Sequence, residues 1–291
     1  VTVTLTIGSL VFSSDPATPL GISEDSLQGW FSAPPVKTQP DDRANGDGTF
    51  GVSNFYRSAR PITFSGFYAG SGNEGADFLI ARQVAAIFAS GIPGTIMVTD
   101  PAGPLSSGVM PISDAALVSP MVDGMFDYTV SLLAPDPVRY GPTSTVSTGL
   151  PTSGGGLEYN LYSGGSGGAL YYGANGNLGR VTLTNNGTAD VWPTFTVTGQ
   201  LDTGFYIQCL TGPDSGNVLR YDRVVPAGST VSIDSRTGEV LVDGISDAST
   251  YLTRDEFFAV PAGSSIVVQF NPISTSSGTP TMTPTVRDGW W

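Results

Sequence analysis

The 291-residue chain contains no histidine. That absence removes the usual general base near neutral pH, the Ser-His-Asp and Cys-His nucleophile systems, and the commonest zinc ligand. Cysteine is nearly as scarce: Cys209 stands alone in an apolar Tyr-Ile-Gln-Cys-Leu context, so it can form no internal disulfide and is expected to be a small buried hydrophobe. With no signal peptide before Val1, synthesis in a cytoplasm is expected. No apolar run approaches the ~18 residues of a membrane helix, so no membrane insertion is expected. Charge is also thin, at 13% of residues against about 25% in an average soluble domain. A surface of neutral Ser, Thr, Gly and Asn is cheaper to desolvate than one of Lys and Glu, which points toward assembly. Lysine occurs once, as Lys37, and the other eleven cations are arginine, a bias that suits bidentate interface contacts and would equally follow from GC-rich coding. The net charge of -13 leaves no basic patch to displace counterions from a phosphate backbone, so stable nucleic-acid binding is not expected.

What the chain does have is glycine (38) and proline (22) in quantity, which breaks it into short strands and predicts a mainly β fold. Its length suits two domains. VTVTLTI at the start alternates strictly and reads as a half-buried strand, with its unpaired edge a further route to subunit pairing. QPDDRANGDGTFG (39–51) reads as a long loop between strands. One helix is predicted over residues 74–90, with Asn73 as N-cap, Glu74 and Asp77 in its first turn, and Gly91 then Pro93 as the stop. The strand-like VSLLA (130–134) then runs into Pro135, Pro137 and Pro142, which remove ladder donors and stiffen the exit from a first domain. Beyond lie the glycine-serine stretches 143–156 and 163–168, and then only strands and turns, with breaks every 8 to 15 residues and SRTG (235–238) as a hairpin turn. The domains are thus 1–141 and 157–291, joined by a linker at 142–156.

Sites for chemistry are weak. Asp41/Asp42 and Asp255/Glu256 are adjacent carboxylates, but strand neighbours point to opposite faces and loop neighbours are usually solvated, which argues against glycoside cleavage. Asp42, Asn45 and Asp47 resemble part of a calcium loop, yet Arg43 occupies the position where the first carboxylate belongs. The glycine-rich stretches lack the Lys and strand-to-helix context of a phosphate loop. No catalytic residue, metal or cofactor is assigned. Trp290 and Trp291 are expected to pin the last strand, with sugar stacking as the alternative.

Several landmarks carry a family resemblance: RSARPITFSG leading into the helix, LLAPDPVRYGP closing the first domain, GRVTLTNNGTADVWPTFTVTG opening the second, then VSIDSRTGEVLVDG, FFAVPAGSSIVVQF and the terminal RDGWW. In order and spacing they resemble the distal tail (Dit) family of long-tailed bacteriophages, often described as minor tail proteins, across the whole chain. The resemblance implies an N-terminal β-domain bearing one helix that forms a six-membered ring, followed by a C-terminal galectin-like β-sandwich. It implies a structural, non-enzymatic virion protein at the distal end of the tail: a homo-hexamer with the tail tube above it and the tape measure and tip or baseplate hub proteins as partners. Arg57, Arg60 and Arg82 are the expected interface cations. The alternative reading is a carbohydrate-binding module for a host-wall glycan, in which Tyr159, Tyr162, Tyr171 and Tyr172 would form an exposed platform.

Overall fold

The computed structural model describes residues 2–23, 25–37, 41–51, 55–119, 122–154 and 175–291. The 163–168 stretch and the four tyrosines at 159, 162, 171 and 172 lie outside these. The chain divides into two compact units, Val1–Pro142 with Trp290–Trp291, and Thr143–Gly289.

The first unit is built from β1 (Thr4–Ile7), β2 (Leu10–Ser13), β3 (Leu20–Ile22), β4 (Arg60–Tyr68), α1 (Glu74–Ala85), β5 (Gly94–Asp100), β6 (Gly103–Val118), β7 (Phe126–Ala134) and β8 (Arg139–Thr145). Neighbouring strands run β6-β5-β1-β2-β3-β4-β7, and β7 pairs back onto β6, from Met110↔Leu133 to Val118↔Tyr128, so the sheet closes into a barrel. β2 and β3 pair in parallel. Closure corrects one expectation: β1 is hydrogen-bonded on both sides, to β2 and to β5, and offers no open edge. Alternation sends Leu5, Ile62, Phe64, Val130 and Leu132 inward, where Phe12 packs edge-on against Phe64 at 5.2 Å and near Tyr128 at 5.3 Å. Each fully buried apolar side chain of this size contributes about 1.5–3 kcal/mol. The Tyr128 hydroxyl donates to Gly21 O (2.9 Å). Gly66 is required beside it, because a Cβ there would collide with the Gly21 carbonyl.

Asn73 caps α1 as expected, accepting from Ala76 N, but the helix ends at Ala85, short of residue 90. Phe88 takes a left-handed φ of 59° and starts the turns that reach Gly91. Asp77 is buried, accepting from the Tyr68 hydroxyl (2.8 Å) and from Ser71 N and Oγ (2.9 and 2.7 Å). The Ser71 hydroxyl foremost holds its carboxyl below the usual range.

The proline cluster makes the β7–β8 turn, where Asp136 accepts from Val138 N and the Tyr140 hydroxyl. The stretch expected to be a linker is instead partly strand. β8 runs on to Thr145, and β9 (Thr148–Gly149) pairs with the last strand of the second unit. Thr143, Thr145 and Thr148 are β-branched and carry a ladder that the average Gly/Ser composition obscured.

The second unit continues with β10 (Arg180–Asn185), β11 (Thr194–Thr198), β12 (Phe205–Cys209), β13 (Val218–Tyr221), β14 (Thr230–Asp234), β15 (Val240–Val242), β16 (Ser246–Asp247), β17 (Leu252–Asp255), β18 (Ser264–Pro272) and β19 (Thr281–Trp290). One sheet runs β16-β15-β14-β11-β19, with β9 on β19, and the other runs β10-β18-β12-β13-β17. This is the two-sheet sandwich expected from the period-2 patterning, and SRTG turns β14 into β15 with Gly238 at φ 74°. Phe195, Phe205, Phe258, Phe270 and Tyr221 fill the core. Asn185 donates to Ala189 O and Val260 O and accepts from Gly187 N and Gly289 N, joining three segments at one buried side chain.

Candidate assembly surface

Between β3 and β4 the chain makes an excursion over residues 23–59. Val36↔Arg57 and Asp42↔Thr49 are antiparallel bridges, supported by Lys37 N→Tyr56 O (2.8 Å) and Phe50 N→Asp41 O (2.9 Å). The excursion therefore includes a hairpin with its tip at residues 43–48, where Arg43 N donates to Gly48 O. Asn-Gly and Asp-Gly dictate such a tip, and Gly48 supplies φ 84°. What the loop reading missed is the surface of the two legs. Phe50, Phe55 and Tyr56 are 64%, 55% and 76% exposed, with Val36 exposed beside them. Large apolar side chains gathered in solvent on short paired segments are the usual mark of an interaction surface. Two of the hairpin's cations lie against aromatic rings: Arg43 is 5.8 Å from the Phe50 ring centre and Arg57 is 5.1 Å from that of Phe55.

The outer face of the barrel is the second element. Register places Val11, Thr6, Met97 and Ser106 in one row across β2, β1, β5 and β6, and places Thr4 against Thr99 in the next. Met110, Leu117 and Phe67 add exposed apolar area. Asp114 lies outside the described side chains; of the other charged residues in these barrel strands, Arg60 and Arg139 are buried and Asp100 and Asp127 are not. In a chain of net charge -13, that is a face from which charge is nearly excluded.

The three expected interface cations separate. Arg57 is half-buried, stacked on Phe55 and 5.9 Å from the Trp291 ring, and Arg82 is exposed in the last turn of α1. Arg60 is 1% exposed and has an internal role. Its guanidinium donates to Pro137 O (3.0 Å), Gly29 O (2.7 Å), Trp30 O (3.2 Å) and Ser32 O (2.5 Å). Burial, and then the charge of Arg139, lower its pKa to about 10. Arg139 donates to the carbonyls of Trp30 and Trp291, which pins Trp291 within the first unit.

The carboxylates considered for catalysis do not form a converging pair. Asp41 and Asp42 are exposed on the hairpin, and Glu256 is held by Arg254 at 3.0 Å and by Val218 N. Among the described residues, no three His, Cys, Asp or Glu side chains are grouped to hold a metal. Cys209 is buried, with burial raising its thiol pKa.

No family model and no curated protein matches the sequence. Solved structures do match. The chain has the fold of a distal tail (Dit) protein: it superposes on the Dit protein of phage SPP1, described as a paradigm of the hub adsorption apparatus in phages infecting Gram-positive hosts. The TM-score is 0.64 at 12% identity, over 99% of both chains. Two structures of the phage p2 baseplate in its activated conformation, with calcium and with strontium, match at TM-score 0.49. Their identities are 11% and 12%, covering 97% of this chain and 98% and 97% of theirs.

Proposed function

We propose that the chain is a structural subunit of a long-tailed phage virion, a distal tail hub that assembles as a six-membered ring joining the tail tube to the tail tip or baseplate. The observation that carries this reading is the end-to-end likeness to the SPP1 Dit hub protein, which spans both units in the same order. The surface supports it. A closed cyclic interface needs two different complementary patches on each subunit, and the apolar hairpin and the charge-depleted barrel face are two such patches. Partners in this reading are five further copies, the tube above, and the tip, baseplate and tape measure proteins. The chain performs no catalysis. Its acidity suits a conduit that passes DNA without retaining it.

Reconstruction of an assembled tail tests the proposal. The expected result is six copies of this chain in one ring at the distal end of the tube, with the hairpin of each subunit covered. A trimeric fibre, or a ring whose bore is lined by the second unit, would overturn it.

A further inference from the structure

The second unit contains a pocket that the hub reading does not use. It has a volume of about 320 Å³ and opens between the end of β13, the loop that follows it, and β14 to β16. Its floor is apolar, formed by the buried side chains of Tyr221, Val225, Val231 and Ala248. Its polar lining is Arg223, Ser229, Ser246 and Asp247.

The polar side chains of this lining leave donor and acceptor capacity open to a ligand. Arg223 lies 4.4 Å from the Tyr251 ring centre, which fixes the guanidinium, and among the described residues it has no hydrogen-bond acceptor. Asp247 Oδ1 accepts from Ser249 N (2.9 Å) and Ser249 Oγ (2.7 Å), leaving Oδ2 without a partner among the described residues. The site thus offers a group that only donates, a group that only accepts, and two hydroxyls that do either. An anion would meet Asp247 and a cation would meet Arg223. A neutral vicinal diol satisfies both, because each hydroxyl donates and accepts. A pyranose ring carries such diols around its edge and presents an apolar C–H face suited to the valine and alanine floor. The volume lies at the small end of ligand pockets, which fits one sugar ring and not an oligosaccharide buried whole.

We propose that this pocket is a binding site for a single neutral hexopyranose unit, held by Arg223 and Asp247 over the Val225–Val231–Ala248 floor. The proposal is independent of ring assembly, and the two fail separately.

The test is saturation-transfer NMR and titration of the intact chain with the methyl glycosides of glucose, galactose and N-acetylglucosamine, alongside inorganic phosphate and acetate. Expected is binding of at least one glycoside with a Kd on the order of 1 mM, as befits one small ring. Arg223→Ala and Asp247→Asn should each weaken it about tenfold, the loss of one charge-assisted hydrogen bond. Arg180→Ala, on β10 in the opposite sheet, should leave it unchanged. Both pocket residues are exposed, so the variants are expected to keep the parent melting temperature, which is checked on the same samples. Three results would overturn the proposal: no glycoside binding to the intact protein, binding unaffected by both pocket variants, or displacement of the glycoside by phosphate or acetate at equal concentration.

Discussion

Arg60 tests how the first unit is held together. It is a buried cation with no carboxylate among its hydrogen-bond acceptors: four main-chain carbonyls, from Gly29, Trp30, Ser32 and Pro137, receive it. Nε supplies one N–H and Nη1 two, so three protons are shared among the four carbonyls; at about 1.5–3 kcal/mol for a hydrogen bond from a charged donor they sum to roughly 4.5–9 kcal/mol gross. Against this stands the cost of burying the charge near Arg139. The fall in pKa from the ordinary arginine value to about 10 puts that cost at about 3 kcal/mol. Arg60→Ala removes both terms and strands three carbonyls, since Trp30 O keeps Arg139. The expected net loss is about 3–5 kcal/mol, the usual consequence of deleting one member of a buried charged network. For a unit of this size that lowers the melting temperature by roughly 10 °C. The assay is calorimetry of the intact chain, with hydrogen exchange of β4 and β7 amides assigning the transition to the first unit. Arg60→Lys keeps the charge but cannot span four acceptors, and should fall between wild type and Ala. Charge on Arg60 opposes folding below about pH 10, and this opposition fades as pH rises from about 10 toward the ordinary arginine value and the group loses its proton in the fold. A loss below about 1 kcal/mol for Arg60→Ala would refute the view that these carbonyls depend on the guanidinium.

Gly187→Ala should abolish folding of the second unit, because its Cβ would collide with the Gly289 carbonyl of the packed C-terminal strand; a soluble variant with an unchanged melting temperature would contradict this. Asp202 accepts from Ser277 N (2.9 Å), the Gln200 side chain and the Ser277 hydroxyl, which together hold its pKa below the usual value. Its stabilisation is present above the unfolded pKa of about 4 and is lost as pH falls through the lower folded value, so Asp202→Asn should flatten the loss of stability on acidification below about pH 4. Equal slopes in urea titrations of the two proteins would rule it out. Phe50→Ser with Tyr56→Ser should leave the melting temperature within about 2 °C, since exposed side chains contribute little to the monomer, yet reduce incorporation into tails scored by electron microscopy. Normal incorporation would remove the hairpin from the interface.

The likeness to SPP1 Dit also separates what was legible in the sequence from what was not. The order of elements was legible: periodicity and turn residues mark β4, α1, β7 and the β14–β15 hairpin, and Asn73 announces the helix start. Period 2 and helix capping are local properties, set by neighbours within a few residues. Three things required the third dimension. Barrel closure depends on β1 meeting β5 and β4 meeting β7, pairings such as Thr4↔Thr99 and Arg60↔Ala134 between distant segments that no local pattern encodes, and the first of them decides that VTVTLTI has no free edge. Arg60 reads like any other arginine in RSARPITF; only the convergence of 29–32 and 137 on one side chain makes it a buried ligand of carbonyls. The β14–β15 hairpin brings the two sides of the pocket at Arg223 and Asp247 together, but its floor also takes Tyr221 from the other sheet, which only the packing of the sandwich places there. Alternation along the chain determines which face of a strand is wet. Which strand lies opposite, and so which polar groups are left without partners, is decided only when the sheets close.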